Sequence, residues 1–191
     1  RVLQLVGPNA AAYVNRGTVH ASLGATAEAL RDFGLALEVD PDQKLALCNR
    51  GDVRLVLGDA AGALDDANRA LARDPSFPSA WMLRAAARSA AHDADGAWRD
   101  YSTALELSPG RVPAWSKRAS LRFRRRDWAG AIEDATHALR LSPGNSGARY
   151  VRGTASVYLG NVSMGIQDLS RVHRSPDACA NRAVAWMKCG R

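Results

Sequence analysis

Apolar and polar positions along the chain repeat with the period of amphipathic helices. Each cycle holds about 14 helix-favouring residues, a short turn such as Leu23–Thr26 or Leu57–Ala60, and about a dozen further helical residues before a proline. Proline cannot continue a helix and pushes the preceding residue away from helical angles, so each Asp-Pro or Ser-Pro should close one helix pair and open the next. The pattern therefore predicts a chain built from helix pairs.

The cycles share one spacing of 34 residues, which several columns of the sequence keep in register. The columns are Pro41, Pro75, Pro109 and Pro143; Gly17, Gly51, Ala85, Ala119 and Gly153; Ala29, Ala63, Ala97, Ala131 and Gly165; and Ala36, Ala70, Ala104, Ala138 and Val172. Small residues in these columns would let paired helices approach closely. One helix pair cannot bury its apolar faces alone, so neighbouring pairs are expected to stack.

The segment AWSKRASLRFRRRDWAGAIEDATHALRLSPGN, Ala114–Asn145, carries most features of a known repeat: an aromatic residue followed four positions later by Gly or Ala, paired alanines in the second helix, and a closing proline. The chain resembles the tetratricopeptide-repeat family. This resemblance implies an all-α fold, a right-handed α-solenoid of stacked antiparallel helix pairs. The predicted repeats are 10–43, 44–77, 78–111, 112–145 and a degenerate fifth at 146–178, with 1–9 ending an earlier repeat and 179–191 forming the first helix of a sixth repeat or a capping helix.

An arginine precedes each residue of the Gly17 column, where the family usually has an apolar side chain. These arginines are Arg16, Arg50, Arg84, Arg118, Arg152 and Arg182. A second column on the same spacing is acidic: Asp32, Asp66, Asp100, Asp134 and Asp168. An unpaired charge beside the helix contact would be costly, so we predict a ladder of Arg–Asp ion pairs. The pairs could form within one repeat or between neighbouring repeats, and a structural role is favoured over a row that binds an acidic peptide.

The resemblance also implies a concave groove, lined by the first helix of each pair, that binds part of a partner protein. Transferred position by position, the predicted lining is Val14, Asn15, Thr18, Cys48, Asn49, Asp52, Leu55, Met82, Leu83, Lys117, Ser120, Phe123, Tyr150, Thr154 and Val157. This lining is mostly small and apolar. It suits a helix or an extended peptide with hydrophobic anchors.

Some members of the family clamp the C-terminal carboxylate of chaperones with Lys, Asn and Arg side chains. Here Asn49 matches one element of that set, but Val14, Thr18, Ser79 and Leu83 stand where the other members are needed. The clamp is incomplete. A chaperone tail is therefore not the expected partner.

The formal net charge of +7 raises the question of an anionic partner. A basic patch comprises Lys117, Arg122, Arg124, Arg125 and Arg126. One interpretation is a solvated helix end whose dipole favours cations; the other is a docking patch for an acidic protein surface, an anionic tail or RNA. The richness in arginine could equally reflect a GC-rich genome, so the charge alone decides nothing.

Motifs for catalysis or metal binding are absent from the sequence. There is no GxxxxGK[ST] or HExxH, and the scattered Cys48, Cys179 and Cys189 fit neither a disulfide framework nor a zinc site. No run of 18 apolar residues occurs. These observations predict a soluble, intracellular, cytoplasmic chain without cofactor, metal or enzymatic activity, and without a membrane partner.

The function predicted from these features is a non-catalytic protein–protein interaction scaffold, and a large cytoskeletal or ciliary assembly is one setting that such a scaffold would suit. Two alternatives stay open: a basic helical-repeat module that binds RNA or another polyanion, and a regulatory segment of a larger enzyme. The chain begins without Met, within what looks like the end of a helix. We therefore expect it to be a piece of a longer polypeptide.

Overall fold

The computed structural model describes residues 9–172, and these fold into helices with no strand among them. In chain order the helices are α1 Ala10–Ser22, α2 Thr26–Val39, α3 Lys44–Val56, α4 Ala60–Arg73, α5 Pro78–Ala90, α6 Ala94–Leu107, α7 Val112–Arg124, α8 Trp128–Leu141, α9 Ser146–Tyr158 and α10 Val162–Ser170. Arg182, Cys179, Cys189 and the predicted helix at 179–191 lie outside the described residues, as does the predicted segment before residue 9.

The described residues divide into two compact bodies. The first body, residues 9–107, contains α1 to α6, and the second body, residues 108–172, contains α7 to α10. Within each body every odd-numbered helix packs against the helix that follows it, each even-numbered helix packs against the next odd one, and neighbouring odd-numbered helices also touch. The predicted all-α fold of stacked helix pairs is confirmed.

The columns of small residues lie where helices meet. Ala29, Ala63 and Ala131 are completely buried. At Gly51 of α3 an added Cβ would lie 2.4 Å from Cδ2 of Leu83, and at Gly17 of α1 it would lie 2.8 Å from the ring of Phe33. The larger side chain therefore fills the space that the small residue leaves open, which explains why these positions exclude bulk.

The turns inside the helix pairs place one residue in the left-handed region of backbone space. Gly24, Gly58 and Gly160 take this role with φ of 75°, 83° and 85°, whereas His92 and Arg126 take it with φ of 65° and 61°. Glycine adopts such angles without a steric penalty, but for a residue with a Cβ they cost roughly 1–2 kcal/mol. The third and fourth turns therefore carry a local strain that the others lack.

The glycine contacts predict opposite outcomes for two alanine substitutions. Gly51→Ala should lower the free energy of unfolding by roughly 1–2 kcal/mol, because the new methyl group collides with Leu83 and overpacking outweighs the gain in helix propensity. Gly34→Ala is the matched control: its Cβ would meet nothing within 4 Å, so it should gain about 0.5–1 kcal/mol. Urea denaturation followed by circular dichroism checks both, and equal effects would contradict the packing explanation.

Candidate functional site

The five predicted ladder arginines within residues 9–172 each donate two hydrogen bonds to one aspartate in the following helix. In the second pair, Nε of Arg50 lies 3.0 Å from Oδ2 of Asp66 and Nη2 lies 2.6 Å from Oδ1. The same fork joins Arg16 to Asp32, Arg84 to Asp100, Arg118 to Asp134 and Arg152 to Asp168. Of the two alternatives left open by the sequence, the pairing within one helix pair is the one present.

Burial differs between the two partners of each pair. The five carboxylates are at most 3% exposed, whereas the arginine side chains keep more contact with water, up to 46% for Arg16. The hydrogen bond from Arg16 lowers the pKa of Asp32, and the carboxylates raise the pKa of Arg16 and of Arg152. A buried carboxylate without its guanidinium would be an uncompensated charge, so the ladder constrains stability first.

A second arginine, four residues after the first, approaches the same carboxylate in the second, third and fourth helix pairs. Nη1 of Arg54 donates to Oδ2 of Asp66 at 2.8 Å and to the Gly62 carbonyl at 3.0 Å. Arg88 bonds Asp100 at 2.8 Å in the same way, and Arg122 lies 3.4 Å from Asp134. Each of these second arginines therefore lies beside a carboxylate, which offsets its repulsion from the ladder arginine four residues before it.

The second arginine belongs to a triad that the sequence analysis missed. In α4 the cap residue Asp59 accepts a hydrogen bond from the Gly62 N–H at 2.8 Å and also faces Nε of Arg54 at 3.7 Å. The triad recurs as Arg88, Asp93 and Gly96 and as Arg122, Asp127 and Gly130. The first repeat has His20, Ala25 and Glu28 at these positions and the fifth has Ser156, Asn161 and Met164. The 34-residue spacing could have revealed it.

Several predicted groove residues lie in the core. Val14, Cys48, Leu83, Thr154 and Val157 are buried by packing between helices: Leu83 of α5 lies against Gly51 of α3, and Val157 of α9 lies against Gly165 of α10. Burial raises the pKa of the Cys48 thiol to about 12, so it stays protonated. These five side chains are not available to a partner in this structure.

The remaining predicted groove residues are exposed or half-buried. They are Asn15, Thr18, Asn49, Asp52, Leu55 and Met82 in the first body and Lys117, Ser120, Phe123 and Tyr150 in the second. Thr18, Asn49 and Asp52 are brought together at one pocket of about 290 Å³. We call it the Asp52 pocket, and its lining is completed by Ala21, Gly24, Thr26, Phe33, Val53 and Val56.

The Asp52 pocket lies between α1 and α3, with the start of α2 beside it. The Asn49 amide donates to the Thr18 hydroxyl at 3.0 Å and so links the two helices at the pocket wall. Val56, at 78% exposure, presents an apolar side chain at the rim. The walls limit the hydration of the exposed Asp52, and this raises the pKa of its carboxyl above the usual value.

The predicted basic patch is smaller than the sequence suggested. Arg124, Arg125 and Arg126 are exposed at the end of α7 and in the turn after it, and Lys117 is exposed in the middle of α7. Arg122 is half-buried, donates to the Gly130 carbonyl at 2.9 Å and lies 3.4 Å from the ladder carboxylate of Asp134. It is therefore engaged within its own repeat and does not extend the exposed patch.

An aromatic cluster in the second body involves the residues that flank this patch. The rings of Trp128 and Tyr158 are stacked, with centroids 4.5 Å apart and planes 11° apart. Phe123 meets the Trp128 ring edge-on at 5.0 Å, and Tyr158 is 58% exposed. The sequence analysis included only Phe123 from this cluster, because Trp128 and Tyr158 belong to different repeats.

A second pocket, of about 230 Å³, lies in the second body and is rich in arginine. Its lining includes Arg140, Arg149, Arg152 and Arg171 together with Asp168. Arg149 occupies the position that Trp81 and Trp115 hold in the two preceding repeats, and like their indole N–H groups it donates to a proline carbonyl. The exchange of an aromatic residue for arginine adds one positive charge to this pocket.

No protein-family profile matches the chain, and no curated protein sequence matches it. Solved structures do. A thermophilic tetratricopeptide-repeat protein from Thermus thermophilus matches with a TM-score of 0.75 and 18% identity, over 94% of this chain and 100% of that one. YrrB, a tetratricopeptide-repeat protein with an unusual peptide-binding site, matches with a TM-score of 0.67 and 18% identity, over 100% of this chain and 96% of that one.

The chain has the tetratricopeptide-repeat fold. The resemblance stated from the sequence is thereby confirmed. A further structure of this fold, the first tetratricopeptide domain of Spaghetti (RPAP3) bound to the HSP90 peptide SRMEEVD, matches with a TM-score of 0.57 and 27% identity, over 60% of this chain and 91% of that one. Across residues 9–172 no helix of the tetratricopeptide array is long and apolar enough to cross a membrane, and no three metal-ligating side chains converge there.

Some ladder carboxylates of this tetratricopeptide array bind two arginines and others bind one. Replacing a ladder arginine should therefore lower the free energy of unfolding by different amounts in different repeats. Arg152→Met should lower the free energy of unfolding by about 3–5 kcal/mol, because Asp168 has Ser156 where the second, third and fourth repeats supply a second arginine. Arg50→Met should cost only about 1–2 kcal/mol, because Arg54 still binds Asp66. Urea denaturation measures both.

The double variant Arg50→Met with Arg54→Met supplies the control. It removes both arginine donors from Asp66, so the loss in free energy of unfolding should equal that caused by Arg152→Met. A double variant that costs no more than Arg50→Met alone would show that the second arginine does not compensate.

Proposed function

We propose that the chain is a non-catalytic interaction scaffold that binds a peptide or helical segment of a partner protein on the face formed by α1 and α3. The observation that carries this proposal is the Asp52 pocket, a cavity of about 290 Å³ with the exposed apolar side chain of Val56 at its rim. A cavity of this kind suits one anchoring side chain of a bound segment.

Proteins of the same fold give the proposal its second support. YrrB has a peptide-binding site, and the RPAP3 domain has been solved with a peptide of HSP90. That peptide, SRMEEVD, is acidic, whereas the pocket of this chain carries a carboxylate. The proposed partner is therefore another protein, and a chaperone tail remains an unfavoured one. An intracellular location and a place in a cytoskeletal or ciliary assembly stay predictions from the sequence.

Peptide selection on the full chain tests the proposal. Peptides selected from a random displayed library should bind the wild type, and Val56→Asn should weaken them about fivefold or more, because it removes an apolar contact at the pocket rim. Val39→Asn is the matched control, since Val39 is also exposed but lies on α2 outside the pocket. Fluorescence anisotropy at low and high salt gives the affinities.

Hydrophobic anchoring predicts that these affinities change little with salt. Failure to select any peptide, or equal weakening by both valine variants, would overturn the proposal.

A second candidate function, binding of RNA or another polyanion, is favoured by one observation in the second body. Trp128, whose ring stacks on that of Tyr158, follows the exposed Arg124, Arg125 and Arg126 by two residues in the sequence. Single-stranded nucleic acids bind to combinations of aromatic rings and cations. Arg126 also keeps its backbone in the strained left-handed conformation that other turns give to glycine.

Arg126→Gly tests this candidate without risk of unfolding. It relieves the backbone strain, so the chain should gain roughly 1 kcal/mol of stability, yet it removes a cation and should weaken binding of a labelled single-stranded oligoribonucleotide. His92→Gly is the control, because it relieves the equivalent turn and leaves the patch unchanged. Oligonucleotide binding that is absent, insensitive to salt, or unaffected by Arg126→Gly would exclude the polyanion function.

A further inference from the structure

Asp52 differs from almost every other aspartate of the described chain. The ladder aspartates bind arginines, Asp59, Asp93 and Asp127 cap helices, and Asp74 binds Lys44 at a repeat boundary. Within residues 9–172, Asp52 and Asp65 have no hydrogen bond or ion pair. Asp65 lies on α4 outside the Asp52 pocket, whereas Asp52 stands in the wall of that cavity. Its charge therefore has no structural task in this part of the chain.

The surroundings of Asp52 restrict what can occupy the pocket. Ala21, Val53 and Val56 supply apolar surface, while Thr18 and Asn49 already bond to each other. A purely apolar occupant would cover the carboxylate and leave it without a partner, which is unfavourable. An acidic occupant would add repulsion. An occupant with an aliphatic stem and a cationic end satisfies both the walls and the carboxylate.

We propose that the Asp52 pocket selects a lysine or arginine side chain from the bound segment, with the aliphatic stem against Ala21, Val53 and Val56 and the cationic group paired with Asp52. This inference rests on the proposed function and specifies its partner as a basic peptide. Reduced hydration at the pocket strengthens the attraction, because a charge pair shielded from water is less screened than one on an open surface.

The charge of the rest of the molecule makes this selectivity unusual. The chain carries a net charge of +7, so long-range attraction favours acidic partners over basic ones. A basic side chain is therefore held by the local carboxylate and the fit of its stem, not by the overall field. Added salt should accordingly leave this contact largely intact or strengthen it, in contrast to binding at the basic patch.

Small probes test the pocket on the full chain without a known partner. The probes are n-butylguanidinium and n-pentylammonium as cations, pentan-1-ol as the neutral analogue, and pentanoate as the anion. Protein-observed NMR titrations should show saturable binding of both cations at residues of the Asp52 pocket, weaker binding of the alcohol, and none of pentanoate.

Asp52→Asn should weaken both cations about tenfold, because it removes a charge-assisted hydrogen bond, and should leave pentan-1-ol unchanged. Asp65→Asn is the matched control, since it removes an equally unpaired surface carboxylate elsewhere on the first body. It should leave all the affinities unchanged. Both variants keep the ladder and the helix caps, so both should fold.

Three results would overturn the inference: no saturable cation binding at the pocket, equal affinity for the alcohol and the cations, or equal loss in the two aspartate variants. These results separate it from the proposed function. If selected peptides bind at Val56 but replacing each Lys by norleucine leaves their affinity unchanged, the scaffold proposal stands and the cation selectivity fails. If cationic probes bind but no peptide does, the scaffold proposal fails instead.

Discussion

The constraint on which the structure depends is that a carboxylate buried beside the close helix contact must receive a guanidinium from the same helix pair. Asp66 shows the solution most fully: Arg50 forks onto both of its oxygens, and Arg54 adds a bond to one oxygen while reaching a backbone carbonyl. Small residues such as Gly153 let the paired helices approach closely, since an added Cβ there would lie 3.0 Å from Cβ of Asp168. Packing and charge pairing are therefore satisfied by one arrangement, and neither can change alone.

The fold could be predicted from the sequence because its signals repeat. Proline and small residues recur every 34 positions, and each recurrence supports the same helix pair. The partners of the arginine column could be named but not assigned, because a spacing of 34 places an aspartate both within and beyond each repeat. Only the separation of 16 residues seen in the structure, from Arg50 to Asp66, decides between them.

The candidate site was harder to predict because exposure depends on neighbours. Cys48 and Asp52 share the first-helix face, yet Cys48 is buried against adjacent helices and Asp52 is exposed in a pocket. Transfer of positions from a family pattern cannot separate them. The Trp128 and Tyr158 stack was missed for a similar reason, since a repeat read by itself does not show contacts with the next.

Pairing inside each repeat has a consequence for how such a chain can change in length. Asp100 binds Arg84 and Arg88, which both belong to its own 34-residue segment. Duplicating or deleting that segment therefore leaves no buried carboxylate without its arginine partners. Recombination at the Asp-Pro or Ser-Pro boundaries would thus yield arrays whose internal electrostatics are already balanced. Individual copies are then free to diverge at positions outside the Arg–Asp pairs, as the arginine at 149 illustrates.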